Sequence, residues 1–66
     1  MNISERLREL RSEKGVSQME LAKATKLSQS AIARWELGKS EPTASAIIIL
    51  ARYFGESADY LLGISD

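Results

Sequence analysis

Apolar residues recur along this chain at helical spacing, in short runs that never extend beyond a few turns. Ile3, Leu7 and Leu10 stand at i, i+4 and i+7 and predict a helix from about Ile3 to Lys14. Gly15 can take the left-handed position after it, and Val16 can supply the apolar contact that often follows. Ser17-Gln18-Met19-Glu20 reads as a capping box, in which serine and glutamate each satisfy the other's backbone amide, and it opens a second helix to about Thr25 that buries Leu21 and Ala22. Lys26 and Leu27 separate this helix from Ser28, which caps a third helix ending at Gly38. Lys39 to Thr43 form a loop in which Pro42 drives Glu41 toward an extended backbone. Thr43 caps a fourth helix, Ala44 to Phe54, with Ile47, Leu50, Ala51 and Phe54 as its core stripe and Gly55 as its stop. Ser57 caps a fifth, carrying Leu61 and Leu62 and closed by Gly63. No segment alternates with the period of a strand. The caps, breakers and periodicity agree on one all-α plan, a compact five-helix bundle.

Two of these helices depart from simple amphipathic patterning. At 100° per residue, Ala31, Ile32 and Trp35 share one side of the third helix, and Gln29, Ser30, Ala33 and Arg34 share the other. The first side is an ordinary core stripe; the second collects amide, hydroxyl and guanidinium groups at the start of a short helix. Two helices joined by a tight turn, the second polar outward, suggest a helix-turn-helix. The pattern alone leaves DNA binding and a plain helical bundle equally open. The fourth helix has surplus apolar surface, since Ile49 falls about 200° from Ile47 with Tyr53 near it on the side away from the core stripe. A neighbouring helix can cover these residues, or they can form a dimer seam with Ser57, Ala58 and Tyr60.

Composition narrows the function. Sixty-six residues are expected to form one domain over 1–66, hiding about 60% of the surface of the unfolded chain. The sequence has no cysteine and no histidine, which excludes disulfides and thiolate metal sites and removes the commonest general base and nitrogen ligand. An enzyme, a metal site and a cofactor are therefore not expected. MNISERLREL is charged too early for a signal peptide, and the longest apolar run, AIIILA, is too short to cross a bilayer, so a cytoplasmic protein without membrane contact is expected. Net charge is zero but uneven. Residues 1–40 carry eight basic and five acidic side chains, or +3, and residues 41–66 carry one and four, or −3. A neutral chain can thus still turn a basic face to a polyanion, although ordinary solvated charge fits the asymmetry as well.

Arg11, VSQMELA (16–22), LSQSAIARWELGK (27–39), Pro42, ILARYFG (49–55) and DYLLG (59–63), in this order and spacing, closely resemble the Cro and phage-repressor class of helix-turn-helix proteins, the XRE type. The match runs over essentially the whole chain. It implies a lambda-repressor-like DNA-binding domain whose second and third helices form the helix-turn-helix, acting as a homodimer on a two-fold symmetric operator in double-stranded DNA. The third helix would enter the major groove with its N-terminal part against base edges. The base-reading positions fall on Ser28, Gln29, Ser30, Ala33 and Arg34. Glutamine suits adenine N6 and N7, arginine suits guanine O6 and N7, serine discriminates less, and the Ala33 methyl can meet a thymine methyl. The resemblance implies phosphate contacts at Gln18, which would also brace Gln29, at Lys39 and Ser40 in the following loop, and at the backbone N–H groups beginning near Ala44. It implies a largely buried salt bridge between Arg11 and Glu36.

Lys26 departs from the glycine usual in the turn, and Glu41 lies near the expected phosphate path, where it weakens binding unless it points away. The expected function is a transcriptional regulator, specifically a repressor. Alternatives are a DNA-binding antitoxin, a targeting domain of a longer regulator, and a protein-interaction module that kept the fold and lost DNA. No small-molecule pocket is evident in the sequence.

Overall fold

The computed structural model describes residues 3–64; Asp66, counted in the acidic half of the chain, lies outside them. Five helices follow one another: α1 (Ile3–Lys14), α2 (Gln18–Thr25), α3 (Gln29–Glu36), α4 (Ala44–Phe54) and α5 (Ala58–Leu62). There is no strand among the described residues.

The ends of the helices are set by local chemistry. Ser17 Oγ accepts the Glu20 N–H at 3.0 Å, and Glu20 Oε1 accepts the Ser17 N–H at 2.8 Å, closing the capping box. Ser28, Thr43 and Ser57 likewise accept backbone N–H groups from Ala31, Ala46 and Tyr60. At the other end of α1, the Val16 N–H reaches back to the Arg11 carbonyl at 3.2 Å past a left-handed Gly15, and α3, α4 and α5 end in the same way. The α2 terminus differs, because its left-handed residue is Lys26, at φ 61° and ψ 23°. A side chain with a Cβ costs roughly 1–2 kcal/mol there. The turn is fastened from beneath: Thr25 Oγ1 donates to the Leu21 carbonyl at 2.7 Å, and Leu27, half-buried, packs against the core.

Each helix places one aliphatic side chain wholly out of water: Leu7, Leu21, Ile32, Leu50 and Leu61. Full burial of such a side chain stabilises by about 1.5–3 kcal/mol relative to exposure. Around these five sit Ile3, Leu10, Ala22, Trp35, Ala46 and Ala51. Helix α1 packs on α3 and α5, and α4 packs on α5 and α2, so α3 rests on α1 and α2.

The α4 core stripe is turned from the expected one. Ala46, Leu50 and Ala51 are buried, while Ile47 and Phe54 are only half-buried. Small side chains at 46 and 51 let α4 approach its neighbours closely and leave the larger pair at the margin. Tyr53 is partly covered within the fold, as one of its two readings allowed. It packs on the core, with the Phe54 ring edge-on at 5.0 Å and the Lys14 ammonium 5.0 Å above its own ring.

Candidate nucleic-acid interface

Helix α3 has one face fixed and one face free. Ile32, Trp35 and Glu36 are buried, and Gln29, Ser30 and Arg34 are exposed. Ala33 is half-buried, on the edge between the two faces, so its methyl is only partly available to a partner. Ser28 does more than cap. Its Oγ, which accepts the Ala31 N–H at 3.2 Å, also lies 2.9 Å from Ser30 Oγ. The two hydroxyls are therefore oriented together at the first turn of the helix.

The buried end of α3 is held by a carboxylate. Glu36 is 3% exposed, and its two oxygens accept from Arg11 Nε at 2.8 Å and Arg11 Nη2 at 3.0 Å, a bidentate fork. Arg11 Nη1 donates to the Val16 carbonyl at 3.0 Å. The carboxylate raises the Arg11 pKa above its ordinary value, chiefly through the hydrogen bond to Glu36, so the guanidinium stays charged throughout. Glu36 lies within the core, where α1 brings the Arg11 guanidinium over it.

Gln18 also has a partner within the fold: its Nε2 donates to Glu36 Oε1 at 3.0 Å. An ionised carboxylate is a strong acceptor for such an amide. One carboxylate thus ties α1, the N-terminus of α2 and the C-terminus of α3 together. The second Nε2 hydrogen and the first backbone N–H groups of α2 remain for a partner.

Beyond α3, Lys39 is exposed and Ser40 half-buried. Thr43 satisfies the Ala46 N–H, which leaves the N–H groups of exposed Ala44 and Ser45 without an acceptor within the helix. Glu41 is exposed and stands between two hollows, one lined by Ile3, Pro42, Ile47, Leu62 and Ile64 and the other by Ser4, Trp35, Gly38 and Ser40.

The structure sorts the basic side chains. Arg11 pairs with Glu36, the Arg6 guanidinium lies 4.1 Å above the Tyr60 ring, and Lys14 covers Tyr53. Arg8 borders a hollow shared with Glu5, Glu9 and Glu13, and Arg52 is exposed on α4. The remaining four, Lys23, Lys26, Arg34 and Lys39, are exposed and lie on α2, the turn, α3 and the next loop. Across residues 18–40 these four face Glu20 and Glu36, for +2, and Glu36 is already answered by Arg11. The basic excess of the first forty residues therefore settles on the helix-turn-helix. Among the described residues no cluster of acidic side chains is placed to hold a metal, and no helix is long and apolar enough to cross a membrane.

Of the residues expected at a dimer seam, Ile49 is 38% exposed and Ser57 is exposed, while Ala58, Tyr53 and Tyr60 are half-buried. Cations from α1 cover both tyrosine rings. Ile48, 49% exposed, was not singled out from the sequence. Its signal was present, because three consecutive isoleucines at 100° spacing cannot all face inward.

Comparison with known proteins agrees with this geometry. A family model described as helix-turn-helix matches residues 7–61. The chain is 34% identical over 62 residues to the HTH-type transcriptional activator BcrR of Enterococcus faecalis, covering 94% of this chain and 30% of that protein. It is 36% identical over 62 residues to the HTH-type transcriptional regulator DicA of Escherichia coli strain K12, covering 94% and 46%. The chain thus spans less than half the length of these two relatives. Among solved structures it superposes on the P22 c2 repressor protein, determined in complex with synthetic operator 9T, with a TM-score of 0.86, 31% identity and 92% of each chain covered. With the capped α2–turn–α3 unit, the Arg11–Glu36 fork and a match over most of its length, the chain belongs to the helix-turn-helix family, in its Cro and phage-repressor class.

Proposed function

We propose that this chain is a sequence-specific DNA-binding transcriptional regulator, a repressor that places α3 in the major groove of a two-fold symmetric operator. One observation carries the reading. The exposed side chains of α3 are Gln29, Ser30 and Arg34, the types that discriminate base edges, on a helix whose other face is locked into the core. Ser28 and Ala33 border this surface. Gln18, Lys39, Ser40 and the N–H groups beginning at Ala44 flank it as phosphate contacts that set register. The structural neighbour, a repressor solved on its operator, supports the same partner.

In this reading residues 1–66 act as one unit in the cytoplasm, without catalytic chemistry or cofactor. Two copies meet through Ile49, Ser57 and Ala58, with Tyr53 and Tyr60 at the margin, so that paired α3 helices face successive turns of the duplex. The greater length of the relatives favours a second reading, in which the same unit targets a longer regulator to DNA; one of these relatives, BcrR, is named as an activator. Selection of bound duplexes from a random library at physiological salt tests the proposal. A recovered inverted repeat supports it; recovery of no preferred sequence, with salt-insensitive binding, refutes it.

A further inference from the structure

Lys26 stands apart from every other turn residue of the fold. The chain enters the left-handed region at Gly15, Gly38, Gly55 and Gly63, and Lys26 is the one non-glycine to do so among the described residues. Glycine would relieve the strain. The lysine side chain is exposed and makes no hydrogen bond, ion pair or ring contact among the described residues. The turn is held instead by Thr25, which donates to the Leu21 carbonyl, and by Leu27 against the core. A strained residue without a structural partner points to a role outside the fold.

Its position says which role. Two peptide units separate Lys26 from Ser28, so its Cα lies at most about 7.6 Å from the Cα of the residue that caps α3. A flexible four-carbon stem carries the ammonium well beyond the backbone. Exposed Lys23 stands one helical turn before it, in the field of Glu20. Of the four uncommitted cations on the helix-turn-helix, Arg34 lies on α3 itself and Lys39 beyond its C-terminal end. Lys26 is the one beside its N-terminal end.

We propose that Lys26 is a phosphate-contacting residue, held by the α2–α3 turn so that its ammonium grips the DNA backbone alongside the groove entered by the start of α3. This rests on the DNA-binding reading above. It adds a backbone anchor at a position where a glycine offers none, opposite in location to Lys39, so that α3 is clamped at both ends.

The substitution Lys26→Gly tests it without disturbing the turn, since glycine accepts the left-handed backbone. The 66-residue chain is titrated with a random-sequence duplex and with duplexes selected from a random library, across a range of salt concentrations. We expect Lys26→Gly to melt no lower than wild type, to bind both duplex types about eightfold more weakly at 0.1 M salt, and to lose about 0.9 from the log–log salt slope. Lys26→Arg, which keeps the charge, should retain the wild-type slope. Wild-type affinity and slope in Lys26→Gly overturn the inference, as does a loss confined to one operator position, which would indicate base reading. A wild-type chain that binds neither duplex fails the DNA-binding reading first and removes this inference with it.

Discussion

Replacing Arg11 by methionine removes the charge of the Arg11–Glu36 fork while keeping much of the stem. In the native fold Glu36 accepts three hydrogen bonds, two from Arg11 and one from Gln18, and is 3% exposed. Arg11→Met leaves that carboxylate with the Gln18 amide alone. Stranding one partner of a buried pair costs about 3–5 kcal/mol. The Arg11 side chain is 21% exposed, so water can reach the gap, which places the expected loss near the lower limit, about 3 kcal/mol. For a domain of this size that corresponds to a fall in melting temperature of about 12–24 °C. Urea unfolding followed by fluorescence is suitable because Trp35, the single tryptophan, is buried on α3 beside Glu36. Glu36→Gln should cost less, since the freed guanidinium can turn to solvent and keeps the Val16 carbonyl. The double variant should recover about 0.5–3 kcal/mol relative to the sum of the single losses. Strict additivity, or a loss below about 1 kcal/mol in Arg11→Met, would show that the fork contributes no more than a surface ion pair.

Other outcomes follow from the same geometry. Gln29→Ala and Arg34→Ala should each weaken operator binding by about 1–3 kcal/mol and relax preference at one base step, read from enrichment in a randomised operator library; unchanged preference in both removes α3 from base reading. Lys39→Ala should weaken all duplexes by one factor and reduce the salt slope by about 0.9, whereas a sequence-selective loss contradicts a backbone contact. Ser17→Ala should cost about 1 kcal/mol in urea unfolding through loss of the α2 cap. The hydrogen bonds from the Ser17 backbone and side chain lower the Glu20 pKa below its usual 4.5. The cap contribution of Glu20 is therefore complete above the unfolded value and disappears as pH falls through the lowered folded value. The stability difference between wild type and Glu20→Gln should be present near neutrality and vanish in strong acid; a difference independent of pH rules out the ionised carboxylate as its source.

The helix boundaries were legible because they rest on short-range chemistry. Ser17, Ser28, Thr43 and Ser57 cap by reaching amides three residues ahead, and the left-handed glycines close turns within five residues. The two faces of α3 were legible for the same reason, as periodicity is local. What depends on a second helix was less so. The orientation of α4 is chosen by the small residues at 46 and 51, which matter only once a neighbour presses on them. The cover on Tyr53 and Tyr60 was not legible either, because it comes from Lys14 and Arg6 of α1 over their rings. Gln18 is the clearest case: the family pattern marked the residue, but its partner is set by where Glu36 lies after α1, α2 and α3 have packed.

That shared carboxylate bears on binding as well as stability. Glu36 lies on the last turn of α3, two residues beyond Arg34, while its hydrogen-bond donors come from α1 and from the first residue of α2. Weakening the fork therefore frees the C-terminal end of α3 to shift against its neighbours, and Arg34 must move with it. Gln29, nearer the Ser28 cap, has a separate local anchor. Loss of the Arg11 guanidinium should thus impair recognition at the base step read by Arg34 more than at the step read by Gln29. This should hold even at temperatures where Arg11→Met remains folded. Library enrichment profiles for Arg11→Met, collected well below its melting transition, measure the two steps independently. Equal losses at both would mean that α3 moves as a rigid rod and that its two ends are not separately positioned.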